Sequence, residues 1–226
     1  MELYRGKFPI VHASNVFSVV EGLGIRSWEK IGPTISLADY KRRKLTDDQH
    51  KEINKFCPQV EVMQLETPQG DPWKGFRTTG KPWAATFVRL PENFILLVSH
   101  YMHGADKIML QLPAGFVEER PITETAFANT AFEEVLQETG VVLDRVEPLS
   151  QEPIFSEPRN STRNFMPFLG IVNENFVIKE QNLDRYEELV AVVMPLNEWL
   201  KVIDHGGNVA LSASDTTHRA LRRLGL

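Results

Sequence analysis

The chain of 226 residues is 42% apolar and 24% charged, an ordinary globular composition with length enough for a core that needs no staples. Its 25 Lys and Arg against 30 Asp and Glu leave a net charge of −5, which argues against a general nucleic-acid or anionic-lipid binder. A lone cysteine, Cys57, excludes an internal disulfide, and no leader pattern or bilayer-length apolar run is visible, so a soluble, cytoplasmic protein is expected.

In chain order, the first 80 residues read as a small, irregular α+β extension. Thr46 to Phe56 is a polar helix candidate with Thr46 as N-cap. Val60 to Leu65 alternates like a strand and is closed by the turn signal Thr67-Pro-Gln-Gly-Asp-Pro72. Trp73 to Trp83, aromatic, basic and glycine-bearing, suits a hairpin arm or a loop. From Trp83 the pattern sharpens. Ala84–Leu90, Phe94–Tyr101 and Lys107–Leu112 are strand candidates, the first two joined by a Pro-Glu-Asn turn. Ile122 to Thr139 is the strongest helix: Ala128, Ala131, Phe132, Val135 and Leu136 recur at helical spacing, and Gly140 stands where a helix stops. Val146–Phe155, Asn164–Val172 and Glu188–Leu196 follow as strands. Asn197–Ile203 and Ser212–Leu224 close the chain as helices, the latter with Ser and Asp in its first turns. The order predicts an α/β domain over residues 81–226, with a mixed sheet.

The chemistry concentrates between Leu112 and Gly140. Helix positions four apart share a face, so Glu134 and Glu138 set two carboxylates side by side. With no Lys on the helix to pair them, they repel unless a cation lies between. Hard divalent cations take one or two carboxylates plus waters and substrate phosphates. The Pro-Ala-Gly turn ahead of the helix can bring the Ala114 carbonyl to the same ion. The alternative is a solvated acidic helix face.

This region resembles the Nudix box, G-x5-E-x7-R-E-U-x-E-E-x-G-U with U aliphatic, and its flanks resemble the ADP-ribose pyrophosphatase branch of that family. Leu97-Val-Ser-His-Tyr-Met102 is similar to that branch's L-V-x-Q-Y-R strand, and Gln111-Leu-Pro-Ala-Gly115 to its E-L-P-A-G. Asn129 to Val141 covers the helical half of the box in register from its Gly end. Ser156 to Arg163 resembles the downstream S-P-G-x-x-x-E loop, and Glu187-Glu188 precedes the late strand as an acidic pair does there. The resemblance spans roughly residues 83 to 224 and implies a Nudix-type α/β/α sandwich. It also implies a hydrolase dependent on Mg²⁺ or Mn²⁺ that cuts ADP-ribose or nucleotide sugars. Glu134, Glu138 and the Ala114 carbonyl would be metal ligands, and a homodimer is expected from the family. Departures from the pattern fall on the chemistry. The loop after Gly115 carries extra residues around Glu119 to Thr123, the box Arg is Glu133, and the first Glu of the E-E pair is Gln137. Gln111 and Met102 stand where the branch has Glu and Arg. A catalytically degenerate Nudix domain that binds a nucleotide or a protein is therefore the alternative.

Secondary candidates lie outside the box. Trp73 and Trp83, with Phe76 and the interleaved Lys74, Arg77 and Lys81, are candidates to stack an adenine and pair with phosphates, or to pack the hairpin. Arg159 and Arg163 are candidates for a diphosphate, or are solvated loop residues. His100 and His103 should point to opposite faces and make a poor metal pair. Cys57, without basic context, reads as an inert thiol.

Overall fold

The computed structural model of the chain describes residues 1–30, 32–34, 39–40, 46–49, 59–184 and 187–226. Two units emerge: Met1–Ser27 with Lys81–Ser156 and Asn164–Leu226, and Trp28–Gly80 with Glu157–Arg163.

The larger unit is built on one mixed sheet. It contains β5 (Trp83–Leu90), β6 (Phe94–Met102), β7 (Lys107–Gln111), β8 (Ala114–Phe116), β9 (Arg145–Pro148), β10 (Ile154–Phe155), β11 (Asn164–Ile171) and β12 (Leu189–Pro195). The order is β10-β11-β5-β6-β12, with β7 on β6, β8 on β5 and β9 on β11. Strands β5 and β11 run parallel, and the other pairings are antiparallel. Parallel neighbours need a long crossover, and the segment bearing helix α2 (Glu124–Thr139) lies in it.

Strand alternation sets the layers. Ile95 and Leu97 of β6, and Val192 and Met194 of β12, pack with α1 (Val16–Gly22), α3 (Leu196–His205) and α4 (Leu211–Leu224). The intervening Leu96, Ala191 and Val193 pack with Val135 of α2. Ala84, Met166 and Phe168 receive Ala126, Phe127 and Ala131 from the same helix. The sheet thus carries helices on both faces, and the expected α/β class with a mixed sheet is the one observed. Trp199, fully buried, ties α3 to α4 through its indole N–H to Thr217 Oγ1 at 3.0 Å.

Met1–Ser27 departs from the expected 1–80 extension by folding into the sheet unit. Tyr4, Phe8, Val11, Val16, Val20 and Ile25 are all buried in its cores, and the Val11 N–H donates to Val193 O at 2.9 Å. Its strands β1 (Leu3–Tyr4) and β2 (Phe8–Pro9) are too short to show alternation. The expected strand Val146–Phe155 is also divided, into β9 and β10. Pro148 and Pro153 lack the N–H a continuous ladder needs. Helix α4 starts at Leu211 from Ala210, with no side-chain cap from the serines expected there.

The smaller unit is centred on an antiparallel hairpin, β3 (Gln59–Glu66) with β4 (Pro72–Thr79). Its turn is tied by the Asp71 N–H to Thr67 Oγ1 at 3.1 Å, and Arg77 pairs across strands with Glu61 at 2.7 Å. Glu157–Arg163 joins it because Thr78 N–H donates to Asn160 O and Thr162 N–H to Thr78 O, at 2.8 and 2.9 Å. The expected N-cap is present: Thr46 Oγ1 accepts from the Gln49 N–H at 3.3 Å, and Gln49 Oε1 from the Thr46 N–H at 2.9 Å. Residues 50–56 of that helix, and Cys57, lie outside the described residues. Among the described residues, no helix is long and apolar enough to cross a membrane.

Candidate active site

Helix α2 begins where Thr123 Oγ1 accepts from the Ala126 N–H at 3.1 Å, and it ends at Gly140 in the left-handed region, φ +76°. Its buried stripe runs Ala126, Phe127, Thr130, Ala131, Val135, Glu138 and Thr139. Glu138 falls on that stripe by helical spacing, three residues beyond Val135. Only 3% of it is exposed, so a carboxylate occupies a place the core would give to a hydrophobe. Glu138 Oε2 accepts the Ala114 N–H at 2.9 Å, which locks it to the first residue of β8.

Glu134 lies one turn earlier, over the next residue of that strand, Gly115. A Cβ on Gly115 would come 1.8 Å from Glu134 Oε1, so only glycine lets the carboxylate occupy this position. The Pro-Ala-Gly turn and the helix therefore form one constellation, joined by a hydrogen bond and a close approach. Ala114 meets the pair through its N–H.

Among the described residues, the charges that raise the two carboxyl groups are all negative. Burial first, then Glu187, Asp184, Glu133 and Glu118, push Glu134 up to about 7. Burial and then Glu134 raise Glu138 well above the usual carboxylate range, opposed by the Ala114 N–H, and Glu187 adds to the rise. A divalent cation would neutralise this repulsion, and the donor set, one buried and one half-buried carboxyl, is all oxygen. The residues fit such an ion. Among the described residues, no group of three Asp, Glu, His or Cys side chains is preformed around a metal position.

The other expected site residues are dispersed. Trp83 is half-buried and stacks on Phe165, ring centroids 5.5 Å apart and planes 23° from parallel. It alternates with Ala84, which faces α2, and so points to the other side of the sheet. Trp73, Arg159 and Arg163 belong to the smaller unit. Trp73 is 62% exposed on β4, and Arg163 folds over Gly80, where a Cβ would lie 2.5 Å from its Nε. His100 is paired with Gln111, ring Nε2 to amide Nε2 at 2.9 Å, and burial lowers its pKa.

Two contributors escaped the sequence reading. Gly115 was read as part of a turn, while its missing side chain is what admits Glu134. Asp184 carried no signal of its own, although Glu187-Glu188 three residues on marked the neighbourhood as acidic.

No protein-family model and no curated protein matches the chain. Among solved structures, one described as the crystal structure of an ADP compounds hydrolase matches with a TM-score of 0.60 at 17% identity. The match covers 75% of this chain and 89% of that one. The fold is Nudix-like. In this Nudix-like frame the segment Asn129 to Val141, which resembles the Nudix box, forms most of α2 and the first residues beyond it. Sequence resemblance and carboxylate pair thus coincide on Glu134 and Glu138.

Proposed function

We propose that the protein is a hydrolase dependent on Mg²⁺ or Mn²⁺ that cuts the phosphoanhydride of a nucleoside diphosphate linked to another moiety, the class of ADP-ribose and nucleotide sugars. One observation carries the reading: a buried carboxyl, Glu138, and a half-buried one, Glu134, a helical turn apart, lie over a glycine turn and repel each other. The fold shared with a hydrolase of ADP compounds supports the choice of substrate class.

Glu134 and Glu138 would hold the cation, with the Ala114 carbonyl as a further ligand. The Ala114 N–H keeps Glu138 oriented, and Gly115 keeps the approach to Glu134 open. When bound, the ion would neutralise diphosphate charge and lower the pKa of an attacking water. The reading carries a homodimeric state and a cytoplasmic location with it.

A second reading is a nucleotide-binding module with little catalysis. It is favoured by Glu133 and Gln137 at the box Arg and Glu positions, and by the absence, among the described residues, of a third group closing a metal site. One experiment separates the two. Turnover of ADP-ribose and a panel of nucleotide sugars is measured across Mg²⁺ and Mn²⁺ concentrations, with Glu138→Gln alongside. Metal-dependent turnover that disappears in the variant is expected. Absent turnover with a thermal shift from one nucleotide would overturn hydrolysis in favour of binding.

A further inference from the structure

The acidic residues that press on Glu134 come from a distant part of the chain, and the structure shows what brings them there. Residues 173–182 run antiparallel to 137–144 as a strap across the end of α2. The Val142 N–H donates to Val177 O at 3.0 Å, Ile178 bridges Val141, and the Lys179 N–H donates to Gly140 O at 2.7 Å. The Gln181 side-chain amide then donates to Glu138 O, and the Asn182 N–H to Gln137 O at 3.0 Å. The last turn of a helix leaves carbonyls without intrahelical donors. Here the strap supplies those donors and is the outer cap of the helix that bears the carboxylate pair. Two residues beyond its last bond lies Asp184, whose N–H donates to Glu187 Oε2 at 3.1 Å, while the Glu187 N–H donates to Asp184 O at 2.9 Å.

The strap is itself held from outside, by the turn between β1 and β2. Lys7 Nζ donates to Lys179 O at 2.9 Å. Arg5 donates to Glu174 O and lies over the Phe176 ring, 4.3 Å from its centroid. Arg5 has φ +49° in the turn Arg5-Gly6, a conformation that favours Gly or Asn. A long cationic side chain at such a position, meeting the strap at two points and lying over the Tyr4 ring as well, is an outlier that points to a role. Tyr4 and Phe8 anchor this turn in the core that contains Phe176 and Val135.

We propose that Arg5 and Lys7 are positioning residues: the β1–β2 turn clamps the strap 173–182, and the clamped strap sets Asp184 and Glu187 beside the Glu134–Glu138 pair, completing the acidic surround of its cation. This rests on the cation-binding reading above. The clamp touches no reacting atom; it acts through the strap.

The test uses the full chain with Arg5→Asn and Lys7→Met, singly and together, and Lys7→Arg as the conservative replacement. Asn suits φ > 0 better than Arg, so its effect is not a backbone penalty. Hydrogen exchange of the Lys179 and Asn182 amides is followed beside that of β6, and Mn²⁺ affinity is measured by electron paramagnetic resonance. In the double variant, the two strap amides should exchange about tenfold faster with β6 unchanged, and Mn²⁺ should bind about tenfold more weakly, the scale of losing support to a metal site. Lys7→Arg should restore both. Unchanged strap exchange overturns the clamp whatever the metal result. Faster exchange with unaltered Mn²⁺ affinity overturns its connection to the site. If the parent protein binds no Mn²⁺, the cation reading falls, and the exchange data alone decide the clamp. If the double variant does not fold, each single variant should show the same changes at smaller amplitude, and singles without effect overturn the proposal.

Discussion

Glu134→Gln should make the metal-free protein more stable, and increasingly so as pH rises to about 7. Burial holds the folded-state pKa of Glu134 at about 7, against 4.5 for the free carboxyl. Between those values the folded chain binds a proton that the unfolded chain has released. Its contribution to stability is therefore complete below pH 4.5 and is lost as pH rises through 7. At about 1.4 kcal/mol per pH unit, the gap corresponds to about 3 kcal/mol, which solvent screening at a partly exposed carboxyl lowers to roughly 2 kcal/mol. Gln mimics the protonated form and does not titrate. For a chain of this size, roughly 2 kcal/mol is on the order of 4–8 °C in Tm. Urea and thermal unfolding of parent and variant, in chelator from pH 4 to 9, check this. The two should nearly coincide at pH 4, separate between about pH 4.5 and 7, and keep a constant difference above that, the variant staying the more stable. Added Mn²⁺ should then raise the parent and not the variant. A constant difference across the whole pH range, or a variant advantage on the acid side, would refute the assignment of Glu134 as a half-buried, repelled carboxyl.

Gly115→Ala would place a methyl 1.8 Å from Glu134 Oε1 and turn that flexible side chain aside, so Mn²⁺ affinity should fall at least about tenfold with little change in stability, read by calorimetric titration and urea unfolding. Gly140→Ala combines φ +76° with a Cβ only 2.2 Å from Lys179 O; a loss of about 2 kcal/mol or more is expected in urea unfolding, with faster exchange of the strap amides. Thr123→Ala removes the cap of α2 and should cost about 0.5–2 kcal/mol with metal affinity nearly unchanged, since the cap lies at the opposite end of the helix from Glu138. Cation affinity should fall steeply as pH drops below about 7, because binding must displace the proton of Glu134; Mn²⁺ titrations at several pH values measure the slope.

Local signals in the sequence reached the frame of the sheet unit. Short apolar runs located β5, β6, β7, β11 and β12, whose residues are buried in succession, and helical spacing closed by Gly140 located α2. The same spacing put Glu134 and Glu138 on neighbouring turns of one face. Sequence spacing did not reveal that Glu138 is buried among core residues, since that depends on what packs opposite the helix. The role of Gly115 arises only when β8 meets α2. Met1–Ser27 was legible only as part of an extension: its two-residue strands carry no period, and the sheet unit supplies the core that buries Tyr4 and Phe8. Asp184, Glu187, Arg5 and Lys7 come to the site, or to its support, through contacts spanning much of the chain, as between Lys7 and Lys179. The sequence by itself determined which elements form and which residue types they carry. The tertiary structure decided which charges lose water and which glycine must stay bare, because desolvation and close approach are properties of residues brought together from afar.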